Sequence, residues 1–187
     1  MNLRLHAVEP RSRANGPGNR FVVWMQGCTL GCAGCFNPAT HDATGGQVAS
    51  VAELADQLRI AHAAGSTGLS LSGGEPLQQA AAAAALLAEA RALGMSTLAF
   101  SGYTIEEIRE LPSGPDVLAH LDVLIDGRYV AGDRLATGLR GSANQRIQLL
   151  TSCYSLAEVE ATPVAEIRIG PTGDVVLTGV NPLKLKR

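Results

Sequence analysis

Phe21-Val22-Val23-Trp24-Met25-Gln26-Gly27-Cys28-Thr29-Leu30-Gly31-Cys32-Ala33-Gly34-Cys35-Phe36 joins a short apolar run to a loop carrying three cysteines. The run Phe21 to Met25 predicts a strand buried on both faces, as in a parallel sheet. The cysteines then follow the C-terminal end of that strand, the end at which open α/β sheets and barrels bind ligands. Cys28, Cys32 and Cys35 place three thiolates in one loop. Iron–sulfur cubanes are normally held by four such ligands, so a cubane given three keeps one iron open. An open position can take a small molecule, as at a catalytic zinc. The cysteines alone also admit a structural zinc site, with His41 as the fourth ligand.

The rest of the chain bounds the reading. Its 187 residues suit one domain with a real core, and 46% are hydrophobic. A formal net charge of −2 gives no electrostatic case for nucleic acid. No apolar run reaches the length of a membrane span, and the opening Met1 to His6 lacks the apolar core of a signal peptide. The expected location is therefore cytoplasmic, where cysteines serve metal or redox chemistry rather than disulfides. Cys153, distant from the others, is expected to be a buried structural thiol. Alanine-rich helices and many arginines point to a GC-rich genome.

Outward from the cysteines, Arg11 to Arg20 reads as a loop on its Asn-Gly-Pro-Gly turn chemistry, and Asn37 to Gly46 as another. Ser50 with Glu53 forms a capping box for a helix whose stripe is Val51, Leu54, Leu58 and Ala61, stopped by Gly65. His62, near the end of that stripe, reads as a partly buried or helix-dipole histidine. Gly68 to Ser72 is a strand running into Gly73-Gly74-Glu75-Pro76, and Leu77 to Leu93 a helix. Paired glycines allow close backbone approach, and a carboxylate beside them can accept hydrogen bonds from an ammonium group. Ser96 to Phe100 is a further strand, followed by Ser101-Gly102-Tyr103 and a helix capped by Thr104 and Glu107. A short helix is expected over Val117 to Leu121, and strands over Asp122 to Ile125 and Arg146 to Leu150. Glu166 to Ile169 and Asp174 to Thr178 form a hairpin, and Lys184 to Arg187 a solvated basic tail. Repeated strand–loop–helix units with right-handed connections predict an α/β fold: a partial, open (βα) barrel with a mostly parallel sheet and a C-terminal hairpin. One domain is expected over 1–187, with its core at about 12–150 and an extension over 151–187.

Particular residues carry a family resemblance. Asn-Gly-Pro-Gly-Asn-Arg at 15–20, Gln-Gly-Cys-Thr-Leu-Gly-Cys-Ala-Gly-Cys-Phe-Asn-Pro at 26–38 and Ser-Gly-Gly-Glu-Pro at 72–76 resemble the radical S-adenosylmethionine (SAM) superfamily. Ser-Gly-Tyr-Thr at 101–104, Leu-Ile-Asp-Gly-Arg at 124–128 and Arg-Gly-Ser-Ala-Asn-Gln-Arg at 140–146 are similar to its small glycyl-radical-enzyme activases, those of anaerobic ribonucleoside-triphosphate reductase. Gly34 stands where much of the superfamily has an aromatic residue.

The resemblance implies a 4Fe–4S cluster on Cys28, Cys32 and Cys35, with its open iron chelating SAM. It implies that Glu75 and the Gly73–Gly74 backbone anchor the methionyl ammonium. Ser101 and Gly102 would lie near the methionyl or ribose part. Gly34 and Phe36 beside the third cysteine, with Asp126, Ser142 and Asn144, complete the candidate cofactor-binding set. Reductive cleavage of SAM would then yield a 5′-deoxyadenosyl radical that abstracts hydrogen from a glycine of a partner glycyl radical enzyme. The electron would come from a low-potential donor such as flavodoxin or ferredoxin. The alternative is a small radical SAM enzyme acting on a peptide or metabolite; an interaction module gives no reason for Gly-Gly-Glu-Pro and Asp-Gly-Arg at strand ends.

Overall fold

The computed structural model describes residues 1–170 and 172–181. The chain runs β1 (Asn2–Ser12), β2 (Arg20–Met25), β3 (Gln47–Ser50), α1 (Val51–Ala63), β4 (Gly68–Gly73), α2 (Ala80–Ala92), β5 (Ser96–Ser101), α3 (Ile105–Glu110), α4 (Gly114–Ala119) and β6 (Val123–Asp126). It continues through β7 (Arg134–Thr137), β8 (Arg140–Ser142), β9 (Arg146–Leu149), α5 (Leu156–Glu160), β10 (Glu166–Ile169) and β11 (Val175–Thr178). Seven strands form one sheet in the order β3-β1-β2-β4-β5-β6-β9. The central strands β2, β4, β5 and β6 are parallel; β1 and β9 flank them antiparallel, and β3 pairs antiparallel with β1 at the edge. The two ends of that order do not pair with each other, so the sheet stays an open partial barrel. The β10–β11 hairpin forms where expected; Pro171 and the basic tail Lys184 to Arg187 lie outside the described residues.

Alternation along the strands assigns the faces. Leu3, Leu5, Phe21, Val23, Met25, Leu69, Leu71 and Leu124 point into the main core beneath α1, α2 and α4. Alanines of α2 are buried there, and their small size lets the helix lie close to the sheet and its neighbours. Leu98, Val123 and Ile125 face the other way and meet Leu139 and Val159 in a smaller cluster. On that second face burial fades toward the C-terminal strand ends. Val22, Ser70 and Leu98 are buried, while Trp24, Ser72 and Phe100 are half-buried.

Several expectations change. The loop expected over Arg11 to Arg20 shrinks to 13–19, because Arg11 and Ser12 end β1 and Arg20 begins β2. The strand before the cysteines is therefore the second one. β1 mixes Arg, His, Glu and Pro with its core leucines, and tertiary partners supply what those polar groups need: buried Glu9 pairs with Arg168 of β10. The helix expected from Leu77 starts as α-helix only at Ala80, after a 3-10 turn over Pro76–Gln79 that Glu75 caps through the Leu77 N–H. Cys153 is exposed, not buried, since it lies in a surface bend after β9 where its N–H donates to Thr151 Oγ1. His62 is exposed rather than partly buried, and it takes the other expected role, in the last turn of α1, with Nδ1 3.1 Å from the Ser66 carbonyl oxygen.

Arg20 is wholly buried and binds the N-terminal ends of the parallel strands together. Its Nε donates to Ser70 Oγ (3.0 Å), Nη1 to Ser96 Oγ (2.6 Å) and Nη2 to the Leu69 carbonyl (2.6 Å). A Cβ at Gly68 would lie 2.1 Å from Nη1, which leaves only glycine at that position. Burial lowers the guanidinium pKa to about 10, so it stays charged at neutral pH, its charge met by neutral oxygens. Replacing it by alanine strands those acceptors. Arg20→Ala is expected to lower stability by about 2–4 kcal/mol in urea denaturation. An unchanged midpoint would show that the network contributes nothing.

Candidate functional site

The C-terminal ends of β2, β4, β5 and β6 converge, with Met25 level with Gly73 and Ser101 level with Asp126. The cysteine loop is clasped to the turn after β4. Gly74 N–H donates to the Met25 carbonyl (2.8 Å) and Glu75 N–H to the Gly27 carbonyl (2.9 Å), while Gly27 and Cys28 N–H donate to Thr40 and His41. This clasp explains the paired glycines. A Cβ at Gly73, where φ is +97°, would meet the Met25 backbone at 2.6 Å, and one at Gly74 would meet the Gly27 oxygen at 2.4 Å.

All three cysteines of the loop are half-buried free thiols. Cys35 N–H closes a turn on the Cys32 carbonyl (3.2 Å), and Asn37 N–H approaches Cys35 Sγ at 3.5 Å. Burial raises the Cys28 pKa, with the Glu75 carboxylate and the other two cysteines adding to the rise. Such crowded sulfurs favour the thiolate form only beside a cationic centre. Among the described residues no three His, Cys, Asp or Glu side chains close on a single ion. A cubane binds each thiolate at a different iron and needs no such common point, so the donor set fits it.

Glu75 is buried behind this loop and both its oxygens are occupied. Oε1 accepts from Leu77 N–H (2.9 Å) and Ser101 Oγ (2.9 Å), and Oε2 from Gly102 N–H (2.8 Å). Desolvation nonetheless raises its pKa to about 7. Leu30 of the cysteine loop rests on Gly102, where a Cβ would meet its Cδ1 at 2.4 Å. Glu75, Ser101 and Gly102 therefore join the ends of β4 and β5 under the loop.

Asp126, Ser142 and Asn144 belong to a second assembly. Asp126 accepts from Ile105 N–H (2.7 Å) and from Arg146 Nε (3.1 Å) and Nη2 (2.5 Å). Gln145 Nε2 donates to the Gly127 carbonyl (2.9 Å), Asn144 Nδ2 to the Arg128 carbonyl (2.8 Å), and Ser142 Oγ accepts from Val130 N–H (3.1 Å). The two motifs at 124–128 and 140–146 thus staple each other, and the three candidate side chains are engaged within the protein. Phe36 is half-exposed and edge-on to Tyr129, with ring centroids 5.2 Å apart. A Cβ at Gly34 would lie 3.0 Å from Ala131 Cβ, so the cysteine loop touches this assembly as well.

Residues outside the candidate cofactor-binding set also shape the site. Arg128 lies over the Tyr103 ring at 5.5 Å and pairs with Glu107 (3.0 Å), and Gln78 bonds to both Thr29 and Tyr103. The Asp-Gly-Arg motif pointed toward Arg128; Gln78 carries no signal beyond following Gly-Gly-Glu-Pro.

Comparison with known proteins places this geometry in a class. Residues 14–148 match the family model of the 4Fe-4S single cluster domain. The anaerobic ribonucleoside-triphosphate reductase-activating protein of Enterobacteria phage T4 is 35% identical over 75% of this chain and 90% of its own length. Its counterpart in Vibrio cholerae is 33% identical over 80% of this chain and 99% of its own. The pyruvate formate-lyase-activating enzyme of Listeria monocytogenes is 40% identical over 41% of this chain and 32% of its own. These matches define a radical SAM protein with a 4Fe–4S cluster and SAM as its cofactors. The chain belongs to the family of anaerobic ribonucleoside-triphosphate reductase-activating proteins, the small glycyl-radical-enzyme activases.

Two outcomes follow from the clasp. In Gly74→Ala the new methyl group meets rigid backbone, which is expected to cost about 2–4 kcal/mol and to reduce iron uptake on reconstitution. Iron content and stability equal to the parent would remove the clasp from the account. Glu75 titrates from 4.5 in the unfolded chain to about 7 when folded. The folded apoprotein then holds a proton between those values that the unfolded chain releases, so stability declines as pH rises through that window. Glu75→Gln should flatten that decline in urea titrations, whereas parallel slopes would show that Glu75 does not titrate there.

Proposed function

We propose that this protein installs a glycyl radical on an anaerobic ribonucleotide reductase-like partner, taking its electron from a low-potential carrier such as flavodoxin or ferredoxin. The observation that carries this reading is the clasp holding the cysteine loop against Gly73-Gly74, at the mouth of an open sheet. Cys28, Cys32 and Cys35 would hold the cluster, leaving one iron for the amino and carboxylate groups of SAM. Bound there, the pair supplies one-electron reductive cleavage of the sulfonium and so the means of hydrogen-atom abstraction.

The chain's own residues bind, orient and shield. The Gly73–Gly74 backbone lies at the cofactor end of β4, the place from which the methionyl ammonium would be met. Glu75 supports it from behind, locked to Ser101 and Gly102. Gly34 and Phe36 form the wall nearest the third cysteine. Asp126, Ser142 and Asn144 act through the loop they staple, which carries Arg128 and Tyr129 to the same rim. Half-buried Trp24, Ser72 and Phe100 leave the floor beside the strand ends open. A segment of the partner inserted there would cover that floor and exclude water from the reacting centre. Among the described residues no helix is long and apolar enough to cross a membrane, which suits a cytoplasmic partner.

Anaerobic reconstitution with dithionite and SAM tests this. The isolated protein should release 5′-deoxyadenosine slowly, and adding the cognate glycyl radical enzyme should produce a doublet electron-spin signal on the partner. Deuterium at the partner's glycine Cα should appear in the 5′-deoxyadenosine. Turnover with deuterium transferred from a free small molecule, and no protein partner, would replace this reading with that of a peptide- or metabolite-directed radical enzyme.

A further inference from the structure

The cysteine loop is held on its inner side by backbone bonds, and beside Cys28 on its outer side the hydrogen bonds come from one side chain. Gln78 Oε1 accepts from Thr29 N–H (3.2 Å), and its Nε2 donates to Thr29 Oγ1 (2.7 Å) and to Tyr103 Oη (3.3 Å). Thr29 directly follows Cys28. Tyr103 lies under the Arg128 guanidinium, whose Nη1 also reaches the Gly102 carbonyl (3.4 Å). One carboxamide thus ties the first cysteine's neighbour to the loops after β5 and β6.

We propose that Gln78 is a positioning residue for the cluster: it fixes the backbone beside Cys28, so that cluster retention and spectroscopic signature depend on a side chain bonded to Thr29 and Tyr103 rather than to a cysteine. Gln78 and Thr29 are exposed, so little folding stability rests on them. What they set is the direction in which Cys28 leaves the loop. Groups that orient metal ligands in this way change metal affinity by about 10–100-fold when removed. The proposal rests on Cys28 being a cluster ligand, though its clamp can be read without the cluster.

The experiment compares the parent with Gln78→Ala, Gln78→Glu and Thr29→Val. In the apoprotein, amide hydrogen exchange at Thr29 should accelerate in Gln78→Ala and return toward the parent in Gln78→Glu, whose carboxylate can accept from the Thr29 N–H and hydroxyl and from Tyr103. In reconstituted protein, iron release to a chelator should be about tenfold faster in Gln78→Ala, with a shifted electron-spin signal from the reduced cluster and a melting temperature within about 2 °C of the parent. Thr29→Val, which keeps the amide but loses the hydroxyl, should fall between. Exchange and iron release in Gln78→Ala within about twofold of the parent would overturn the proposal. If Gln78→Ala proved unstable, parental iron release in Thr29→Val would do the same. A parent that takes up no iron and sulfide would refute the cysteine assignment, while Thr29 exchange would still decide whether the clamp exists.

Discussion

The structure depends on the contact between the end of β2 and the turn after β4. Two backbone hydrogen bonds, Gly74 N–H to Met25 and Glu75 N–H to Gly27, fasten the cysteine loop to the sheet. Neither could form if Gly73 or Gly74 carried a side chain, because a Cβ would overlap the opposing backbone. The double glycine is therefore a packing requirement before it is a binding feature. It also leaves bare backbone beside the thiols, which makes the same two residues suited to meet a ligand.

From that contact the site spreads by short hydrogen-bonded connections. Glu75 reaches sideways to Ser101 and Gly102, and Leu30 settles on Gly102 because nothing projects there. The stretch from Asp126 to Val130 is stapled by Arg146, Gln145, Asn144 and Ser142, nearly residue for residue. Buried polar groups are costly unless paired, and here pairing gives the mouth one defined shape. The opposite end of the sheet is treated in the same way, with Arg20 spreading its donors over the neighbouring strands. A rigid scaffold closed by polar networks at both ends suits radical chemistry, in which misalignment would let the reactive centre find the wrong hydrogen.

The segment after β9 does more than extend the fold. Ser12 Oγ donates to Glu166 Oε2 (2.8 Å), Arg168 reaches Glu9 and the Arg11 carbonyl, and Tyr154 Oη lies 2.7 Å from Ser96 Oγ. These contacts fasten the C-terminal hairpin and the bend before α5 to the N-terminal ends of the sheet. None of these contacts lies at the end bearing the cysteines.

The sequence by itself determined the parallel core strands, the capped helices and the cluster motif. Those features are written in local chemistry: the apolar run Phe21 to Met25, the Ser50–Glu53 and Thr104–Glu107 capping boxes, and three cysteines in one loop. Only the tertiary structure decided that Asn2 to Ser12 is a strand, because its polar residues become tolerable through partners such as Arg168, far along the chain. The exposure of Cys153 was settled in the same way. The partners of Asp126, Ser142 and Asn144 were likewise hidden from the sequence, since their residue types suit a ligand as well as a loop staple and only the fold shows which donors and acceptors they meet within the protein. Local pattern specifies what a segment can become, whereas the partner that satisfies a buried polar group is chosen by three-dimensional proximity, which residue spacing does not encode.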